Sequence, residues 1–223
     1  MEVFWMDNSE TLLAPSLPRL NEPAPDFEAM TTIGPIKLSD FRGKWVVMYS
    51  HPADFTPVCT TEFIGFADAQ DELAGMNVQL LGLSIDSVFS HLAWVHAIQN
   101  KFGKHVPFPI IADIDMKVSR LYGMVHPAAS TTQAVRALFI IDPEGILRLM
   151  MYYPMTTGRN IQEVIRVIKA LQIADTYQVN TGANWRPGDP VIVSPPKTVD
   201  AMNTPREDLT CTDWYFCTKE LPE

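Results

Sequence analysis

Cys59 is the residue whose position in the sequence points most directly to chemistry. An apolar strand pattern at residues 45–49 leads into its segment, and a helical pattern leaves it from Phe63 onward. Thr56 is a good N-cap, and Pro57 suits the first helical position because its missing N–H would have no partner there. Cys59 is therefore expected in the first helical turn, where unpaired N–H groups and the helix dipole favour thiolate over thiol. This position makes Cys59 a candidate nucleophile, although residue type alone favours a buried structural cysteine.

The residues before Cys59 form the pattern Pro52-x-x-x-Thr56-x-x-Cys59 within the longer string 51–62. This pattern resembles the active-site signature of the peroxiredoxins. The longer string is similar to the branch that contains the one-cysteine enzymes and their archaeal-type relatives with extra C-terminal cysteines. The resemblance implies that Cys59 attacks a peroxide oxygen, that the Thr56 hydroxyl orients peroxide and thiolate, and that Pro52 shields the thiolate from water.

A thiolate at this position needs a fixed positive charge beside it. The helix dipole contributes about 0.3–1 kcal/mol at exposed sites, whereas one pKa unit is about 1.36 kcal/mol and a nearby opposite charge shifts a pKa by roughly 1–3 units. Arg136 opens an otherwise apolar strand pattern and matches the arginine that the family holds against its reactive cysteine. Its donors can hold both the thiolate and a peroxide oxygen. Arg136 and Thr56 are therefore the predicted substrate-binding residues.

Three further residues are weaker catalytic candidates. Glu62 follows Cys59 by three residues and could pair with an arginine to hold the site. Arg159 matches a family arginine near the pocket. His51 could form a hydrogen bond with the oxidised sulfur or with the peroxide, but a histidine at the end of a strand is as often solvated.

Cys211 and Cys217 lie near the C-terminus. Together with Cys59 they give neither an even disulfide framework nor the spacing of a zinc motif, so redox-active thiols in a reducing compartment are expected. By resemblance, a sulfenic acid on Cys59 condenses with a resolving thiol of a partner subunit, and an external dithiol donor reduces the product. Cys217 is the first choice as resolving residue and Cys211 the second.

Composition limits the possible classes of function. The 223 residues carry a net charge of −9, which argues against nucleic acid binding because phosphate backbones attract clustered Lys and Arg. No apolar run approaches the roughly 18 residues of a membrane span, and residues 1–7 lack the features of a secretory signal. We therefore expect no nucleic acid partner, no membrane partner and a cytoplasmic location. The family resemblance implies in addition a peroxidase without a metal, haem or flavin.

The hydrophobic patterns from residue 23 onward predict an α/β domain. A short strand pair turns near Gly34, buried strands follow at residues 45–49 and 78–85, and a later strand hairpin turns at residues 142–145. This βαβ…ββα order suits a thioredoxin-like fold with a mixed central sheet flanked by helices, which the resemblance also implies. The strand at residues 78–85 is followed by a helix that Asp86-Ser87 can cap and that Gly103 ends. Its predicted buried face consists of Val88, Leu92, Val95, Ile98 and Phe102.

Three segments are predicted along the chain. Residues 1–22 form an N-terminal extension, residues 23–172 the thioredoxin-like peroxidase domain, and residues 173–223 a C-terminal arm or small dimerisation domain. The last segment is rich in proline yet keeps many aromatic and aliphatic residues, so it is expected to pack on a surface rather than float free. By resemblance it reaches a neighbouring subunit, and the protein is expected to form dimers arranged in a ring of ten.

The predicted function is a thiol peroxidase acting on hydrogen peroxide and small organic hydroperoxides, recycled by a dithiol reductant such as a thioredoxin-like protein. One alternative is a strict one-cysteine peroxidase, in which Cys211 and Cys217 take no part. Another is a ring-forming holdase or redox sensor. Thioredoxin-like disulfide exchange fits less well, because Cys59 has no Cys-x-x-Cys neighbour.

Overall fold

The computed structural model describes residues 17–221. The predicted N-terminal extension therefore lies mostly outside the described residues. Two compact units are distinguished: one runs from the start of the described chain to Ala67 and from Val78 to Gly158, and the other comprises Asp68–Asn77 together with the chain from Arg159 onward. The predicted boundary near residue 172 stays a prediction.

Ten strands, six α-helices and one short 3-10 helix at Leu38–Phe41 occur within residues 17–221. The strands are β1 Glu28–Thr31, β2 Gly34–Lys37, β3 Trp45–Ser50, β4 Val78–Ser84, β5 Ile110–Ala112, β6 Arg136–Ile141, β7 Leu147–Tyr153, β8 Val191–Val193, β9 Thr210–Asp213 and β10 Phe216–Lys219. The helices are α1 Pro57–Asp68, α2 Gln70–Gly75, α3 Val88–Phe102, α4 Lys117–Leu121, α5 Ile161–Tyr177 and α6 Val199–Asn203.

The first unit is built on a mixed sheet whose seven strands, all in the described chain, follow the order β2-β1-β5-β4-β3-β6-β7. The neighbours β3, β4 and β5 run parallel, whereas β6 runs antiparallel to β3 and β7 antiparallel to β6. Parallel neighbours need a crossover, and α1 and α3 lie in the connections. The sheet agrees with the mixed α/β arrangement that the sequence predicts.

Strands β3 and β6 form the centre of this unit. Every residue of both strands is buried, as expected for strands covered on both faces. Their register pairs Val46 with Ile141 and Tyr49 with Leu138, so the end of β3 lies beside the start of β6. This register brings the loop that leaves β3 toward the first residue of β6.

Helix α3 begins and ends as predicted, but its predicted buried face is only partly correct: Ile98 is buried, whereas two other members are exposed. Ser87 caps the helix by accepting a hydrogen bond from the Ser90 backbone, and Gly103 ends it with φ 69°, in the left-handed region. Leu92 and Phe102 are 48% and 54% exposed. The side chains that are buried are His91, Trp94 and Ile98. The prediction used apolar residue types only, whereas the polar residue His91 is also buried, with both ring nitrogens hydrogen-bonded.

The second unit carries a small sheet in the order β8-β10-β9. Its apolar cluster consists of Ala170 from α5 with Val179, Trp185 and Val191. Short strands were not predicted in this proline-rich segment. No helix in the described part of the chain is long and apolar enough to cross a membrane.

Candidate active site

Cys59 is the third residue of α1 and is fully buried. The helix begins at Pro57, as predicted, so the cysteine lies in the first turn, near N–H groups that have no partner within the helix. Its thiol is free rather than part of a disulfide. A buried free thiol at a helix start is placed where a negative charge on sulfur is favoured.

Arg136 contacts Cys59 directly. Its Nη1 lies 3.2 Å from Cys59 Sγ, and its Nε donates to the Met155 carbonyl at 3.0 Å. Only 2% of Arg136 is exposed. The guanidinium is therefore held from two sides, with one N–H aimed at the sulfur.

Glu62 completes this contact. It lies three residues after Cys59 on the same face of α1, and its Oε2 accepts a hydrogen bond from Arg136 Nη1 at 2.7 Å. The two side chains are 2–3% exposed, so the ion pair is buried. The pairing with an arginine that the sequence suggested for Glu62 is present in the structure. Such a buried pair holds the guanidinium in place, because movement of Arg136 away from Glu62 would leave two uncompensated charges in the protein interior.

Ser50 fixes the strand that carries Arg136. Its hydroxyl donates to the Val135 carbonyl at 2.6 Å and accepts from the Ala137 backbone N–H at 3.0 Å. These two bonds bracket Arg136 and tie the start of β6 to the end of β3. The sequence reasoning did not identify this role, since nothing local to Ser50 indicates a partner more than eighty residues away.

Thr56 and Pro52 lie in the loop between β3 and α1. Pro52 is buried and Thr56 half-buried. The Thr56 hydroxyl donates to the Ala53 carbonyl at 2.8 Å. While its proton is donated to Ala53, the hydroxyl oxygen can still accept a hydrogen bond from a peroxide O–H, which is compatible with the predicted role of Thr56 in orienting peroxide.

His51 belongs to a buried hydrogen-bonded chain rather than to the solvent. Its Nε2 lies 2.8 Å from Asp54 Oδ1, and His91 Nδ1 lies 2.8 Å from Asp54 Oδ2. His91 Nε2 contacts the Ile111 carbonyl at 3.2 Å. Asp54 is itself held, because its backbone N–H donates to Asp86 Oδ2 at 3.0 Å.

The charges in this chain are set by burial and by the hydrogen bonds. Burial lowers the pKa of His51 by more than the hydrogen bond to Asp54 raises it. Burial alone would raise the pKa of Asp54, but hydrogen bonds from His51 and His91 hold it well below its usual range. His51 is thus neutral with its proton on Nε2. Its Nδ1 is buried, bears a lone pair, and has no hydrogen-bond partner among the described residues.

His51, Asp54 and His91 are also the one group among residues 17–221 whose donor atoms lie close enough to ligate a metal ion. The contacts between them are already short hydrogen bonds, and all three side chains are buried. We therefore interpret the group as a hydrogen-bonded chain that holds the His51 ring, which packs against Phe63 at 4.9 Å and Trp94 at 5.1 Å. Phe63 lies one helical turn after Cys59. The sequence reasoning missed Asp54 and His91.

The remaining predicted residues lie in the second unit. Arg159 is buried, with 6% exposed. Cys211 and Cys217 form a disulfide, with Cα atoms 4.0 Å apart. They lie opposite each other on β9 and β10. The two C-terminal cysteines are therefore a pair within one chain.

Comparisons with known proteins agree with this arrangement. A family model described as the AhpC/TSA family matches residues 20–150, and one described as the C-terminal domain of 1-Cys peroxiredoxin matches residues 170–205. The chain is 58% identical to Peroxiredoxin 2 of Caldanaerobacter subterraneus subsp. tengcongensis, over 92% of this chain and 94% of that protein. It is also 58% identical to a peroxiredoxin of Aquifex aeolicus, over 92% of this chain and 98% of that protein.

Solved structures show the same fold. The yeast mitochondrial 1-Cys peroxiredoxin matches with a TM-score of 0.83 and 40% identity, covering 92% of this chain and all of that one. The reduced 2-Cys peroxiredoxin of Plasmodium vivax matches with a TM-score of 0.72 and 31% identity, covering 78% of this chain and 92% of that one. These matches confirm the predicted thioredoxin-like fold.

A buried thiol at a helix start, beside a buried arginine on this fold, defines a thiol-based oxidoreductase. The chain belongs to the peroxiredoxin family and is a peroxidase. It falls in the one-cysteine-like branch and carries a C-terminal cysteine pair.

Proposed function

We propose that the protein reduces hydrogen peroxide and small organic hydroperoxides by attack of the Cys59 thiolate. The observation that carries this proposal is the 3.2 Å contact between Arg136 Nη1 and Cys59 Sγ. A guanidinium in that position stabilises the thiolate and can also hold a peroxide oxygen beside it. The burial of Cys59 favours small substrates.

In the first step, the Cys59 thiolate attacks one peroxide oxygen and the O–O bond breaks. Cys59 becomes a sulfenic acid, and the other oxygen takes up a proton and leaves as water or an alcohol. Arg136 stabilises the charge that develops on the oxygens, Glu62 holds Arg136, Thr56 orients the peroxide, and Pro52 keeps water from the thiolate. His51 accepts a hydrogen bond from the peroxide or from the sulfenic acid through its unpartnered Nδ1. Arg159 is assigned a supporting role near the pocket on family resemblance alone.

Resolution is proposed to use Cys217 of a partner subunit. Its thiol condenses with the sulfenic acid, releasing water, and Cys211 then attacks Cys217 to form the Cys211–Cys217 disulfide and free Cys59. The pairing of Cys211 with Cys217 in the structure supports the second of these steps. A dithiol protein of the thioredoxin type then reduces that disulfide. The yeast relative is described as resolving its thiol through glutathione and thioredoxin systems.

Self-association into a ring of ten subunits is proposed as the working assembly. It is supported by an apolar groove of about 480 Å³ beside the Cys59 helix, bordered by Phe55, Ile64, Trp94 and Phe102. Phe55 and Phe102 are 58% and 54% exposed, which is unusual for an apolar patch on a monomer. The cytoplasmic location stays a prediction from the sequence.

Cys59→Ser tests the function. This variant is expected to lose peroxide turnover while keeping its fold, because the reaction assigns the attacking sulfur to this residue alone. Stopped-flow peroxide reduction with a thioredoxin donor provides the measurement, and circular dichroism provides the control. Peroxidase activity that survives in Cys59→Ser would contradict the proposal.

A strict one-cysteine cycle is the second candidate, since the chain matches the C-terminal domain of 1-Cys peroxiredoxin. Non-reducing gels after peroxide treatment separate the two cycles. Cys217→Ser should lose the covalent dimer, whereas Cys211→Ser should keep it. If both variants keep full turnover with the dithiol donor, the one-cysteine cycle is correct.

A further inference from the structure

The two sulfurs of the Cys211–Cys217 disulfide lie in different surroundings. Cys217 is on β10, the middle strand of the small sheet, between Val193 on β8 and Cys211 on β9. Cys211 is on the outer strand β9, all of whose residues are exposed. The exposed fraction of Cys217 is 1%. Cys211 is therefore an exposed residue, whereas Cys217 is covered.

A cavity of about 320 Å³ adjoins the disulfide. Both cysteines line it, together with the apolar side chains of Met202 and Trp214 and the charged residues Arg206 and Asp213. Arg206 Nη1 is buried and has no hydrogen-bond partner in the part of the chain that the structure describes. A buried guanidinium N–H without an acceptor is costly, so an acceptor is expected to reach it at some stage.

We propose that the reductant attacks Cys211 and that the Arg206 guanidinium stabilises the thiolate that forms on Cys217. The inference rests on the proposed function, in which this disulfide is the one that the dithiol donor reduces. The donor thiolate forms a bond to Cys211 Sγ, the Cys211–Cys217 bond breaks, and Cys217 leaves as a thiolate. The second donor thiol then attacks the mixed disulfide, so that Cys211 is released and the donor leaves as a disulfide.

Two factors decide which sulfur of the disulfide is attacked. Access favours attack at the exposed Cys211, but the sulfur that then leaves, Cys217, needs a group that stabilises its negative charge. A thiolate must approach the sulfur that it attacks, and the rate depends on that access. The leaving sulfur, Cys217, lies 3.6 Å from the Asp213 carbonyl, which offers no stabilisation to an anion. The unpartnered Arg206 N–H in the same cavity supplies the missing positive charge. Attack at Cys211 thereby becomes feasible, and it returns Cys217 in the ionised form that resolves the next sulfenic acid.

The first test maps the mixed disulfide. The full chain carrying Cys59→Ser is oxidised to form the Cys211–Cys217 disulfide, and a thioredoxin with a single active-site cysteine is added. Protease digestion and mass spectrometry then locate the adduct, which is expected on Cys211 with Cys217 free. An adduct on Cys217, an even distribution, or failure of the two cysteines to form a disulfide would overturn the inference. None of these results bears on Cys59 chemistry, which the peroxidase assay of Cys59→Ser tests separately.

The second test addresses Arg206. Arg206→Gln should slow reduction of the disulfide by roughly three- to tenfold, the size expected for one nearby charge. The slowing should be equal for 2-mercaptoethanol, anionic mercaptoethanesulfonate and cationic cysteamine, because the charge acts on the leaving sulfur. Arg206→Lys should restore part of the rate, and Arg186→Gln, at a different cavity of the same unit, should leave it unchanged. Slowing confined to the anionic thiol, or no slowing at all, would overturn the role of Arg206.

Discussion

The two cysteine regions of this protein differ in what surrounds the sulfur. Cys59 is buried at the start of a helix, and the cation beside it is itself held by a carboxylate and a carbonyl. The Cys211–Cys217 pair lies on a three-stranded sheet of the second unit, within the described chain, and one of its sulfurs is on an exposed strand.

This difference shows two ways to control a thiol. Around Cys59, a fixed charge and burial surround the sulfur, and in the proposed function they set its reactivity toward peroxide. Around Cys211 and Cys217, access decides which sulfur a protein thiol can reach. Substitutions at the first region should therefore change the peroxide reaction strongly, whereas substitutions at the second should change only recycling.

The largest effect is expected for Arg136→Ala. Loss of the guanidinium removes the donor 3.2 Å from Cys59 Sγ and the stabilisation of the departing oxygen. Peroxide attack should slow by roughly 10²–10³-fold, the usual cost of removing one such donor. Stopped-flow oxidation gives the peroxide rate, and iodoacetamide alkylation over a range of pH gives the thiolate reactivity.

The comparison of the two rates decides the role of Arg136. If peroxide attack falls much more than alkylation, the guanidinium acts on the oxygens as well as on the thiolate. Equal losses would reduce Arg136 to a counter-charge. Arg148→Ala is the matched control. Arg148 lies on the neighbouring strand β7 and pairs with the carboxylate of Asp142, and none of its described contacts is with Cys59. Reduction of the Cys211–Cys217 disulfide should be unchanged in both variants.

Glu62→Gln should have a smaller effect. Glutamine keeps the shape of the side chain but replaces the charged acceptor of a 2.7 Å bond with a neutral one, and it leaves the buried Arg136 without its counter-charge. The free energy of unfolding should fall by about 1.5–3 kcal/mol, and peroxide attack should slow as Arg136 loses its fixed position. Urea unfolding and stopped-flow rates measure the two effects. Glu28→Gln, which alters an exposed ion pair with Lys37, should change neither.

The sequence was sufficient to predict the parts of the site that depend on local signals. A strand pattern followed by an N-cap, a proline and Cys59 predicts a helix start, and α1 begins at Pro57 as expected. Arg136 was found because a charged residue opens an apolar strand, and the resemblance to a known signature supplied its partner. The roles of these residues stay predictions, but their proximity is seen in the structure.

Long-range partners could not be predicted in the same way. Ser50 and Val135, or Asp54 and His91, are far apart in the chain and meet only through the register of the sheet and the packing of α3. The small sheet of the second unit was missed for another reason. Strand prediction needs one buried face with alternating polarity, and every residue of β9 is exposed.

Asp54→Asn should weaken the first unit by a smaller amount. Each carboxylate oxygen of Asp54 accepts a hydrogen bond from one histidine, His51 or His91. In asparagine one of these oxygens is replaced by an NH₂ group, which would face the N–H of a histidine and could not accept from it. The free energy of unfolding should fall by about 1–3 kcal/mol. The peroxide rate should also fall, because His51 loses the bond that keeps its proton on Nε2. Asp189→Asn, in the second unit, provides the control for the peroxide rate. An unchanged peroxide rate in Asp54→Asn would show that His51 has no part in the reaction.

The smallest expected effect is the pH dependence of stability, and its sign follows from His51. The pKa of His51 is lowered in the folded protein from its ordinary value of 6.5, mainly by burial. Below pH 6.5, His51 of the unfolded chain becomes protonated while His51 of the folded protein stays neutral. The unfolded state therefore binds more protons, and acidification favours unfolding. The lowered pKa of Asp54 acts in the same direction, but only below its ordinary value of 3.8. Urea unfolding between pH 7 and about pH 5 should therefore show a loss of stability to which His51 contributes, and His51→Gln should flatten that slope. Hydrogen exchange at pH 7 and at about pH 5 should show that strands β3 and β6 lose protection and that β8–β10 do not. An equal loss of protection in both units would contradict the assignment to His51.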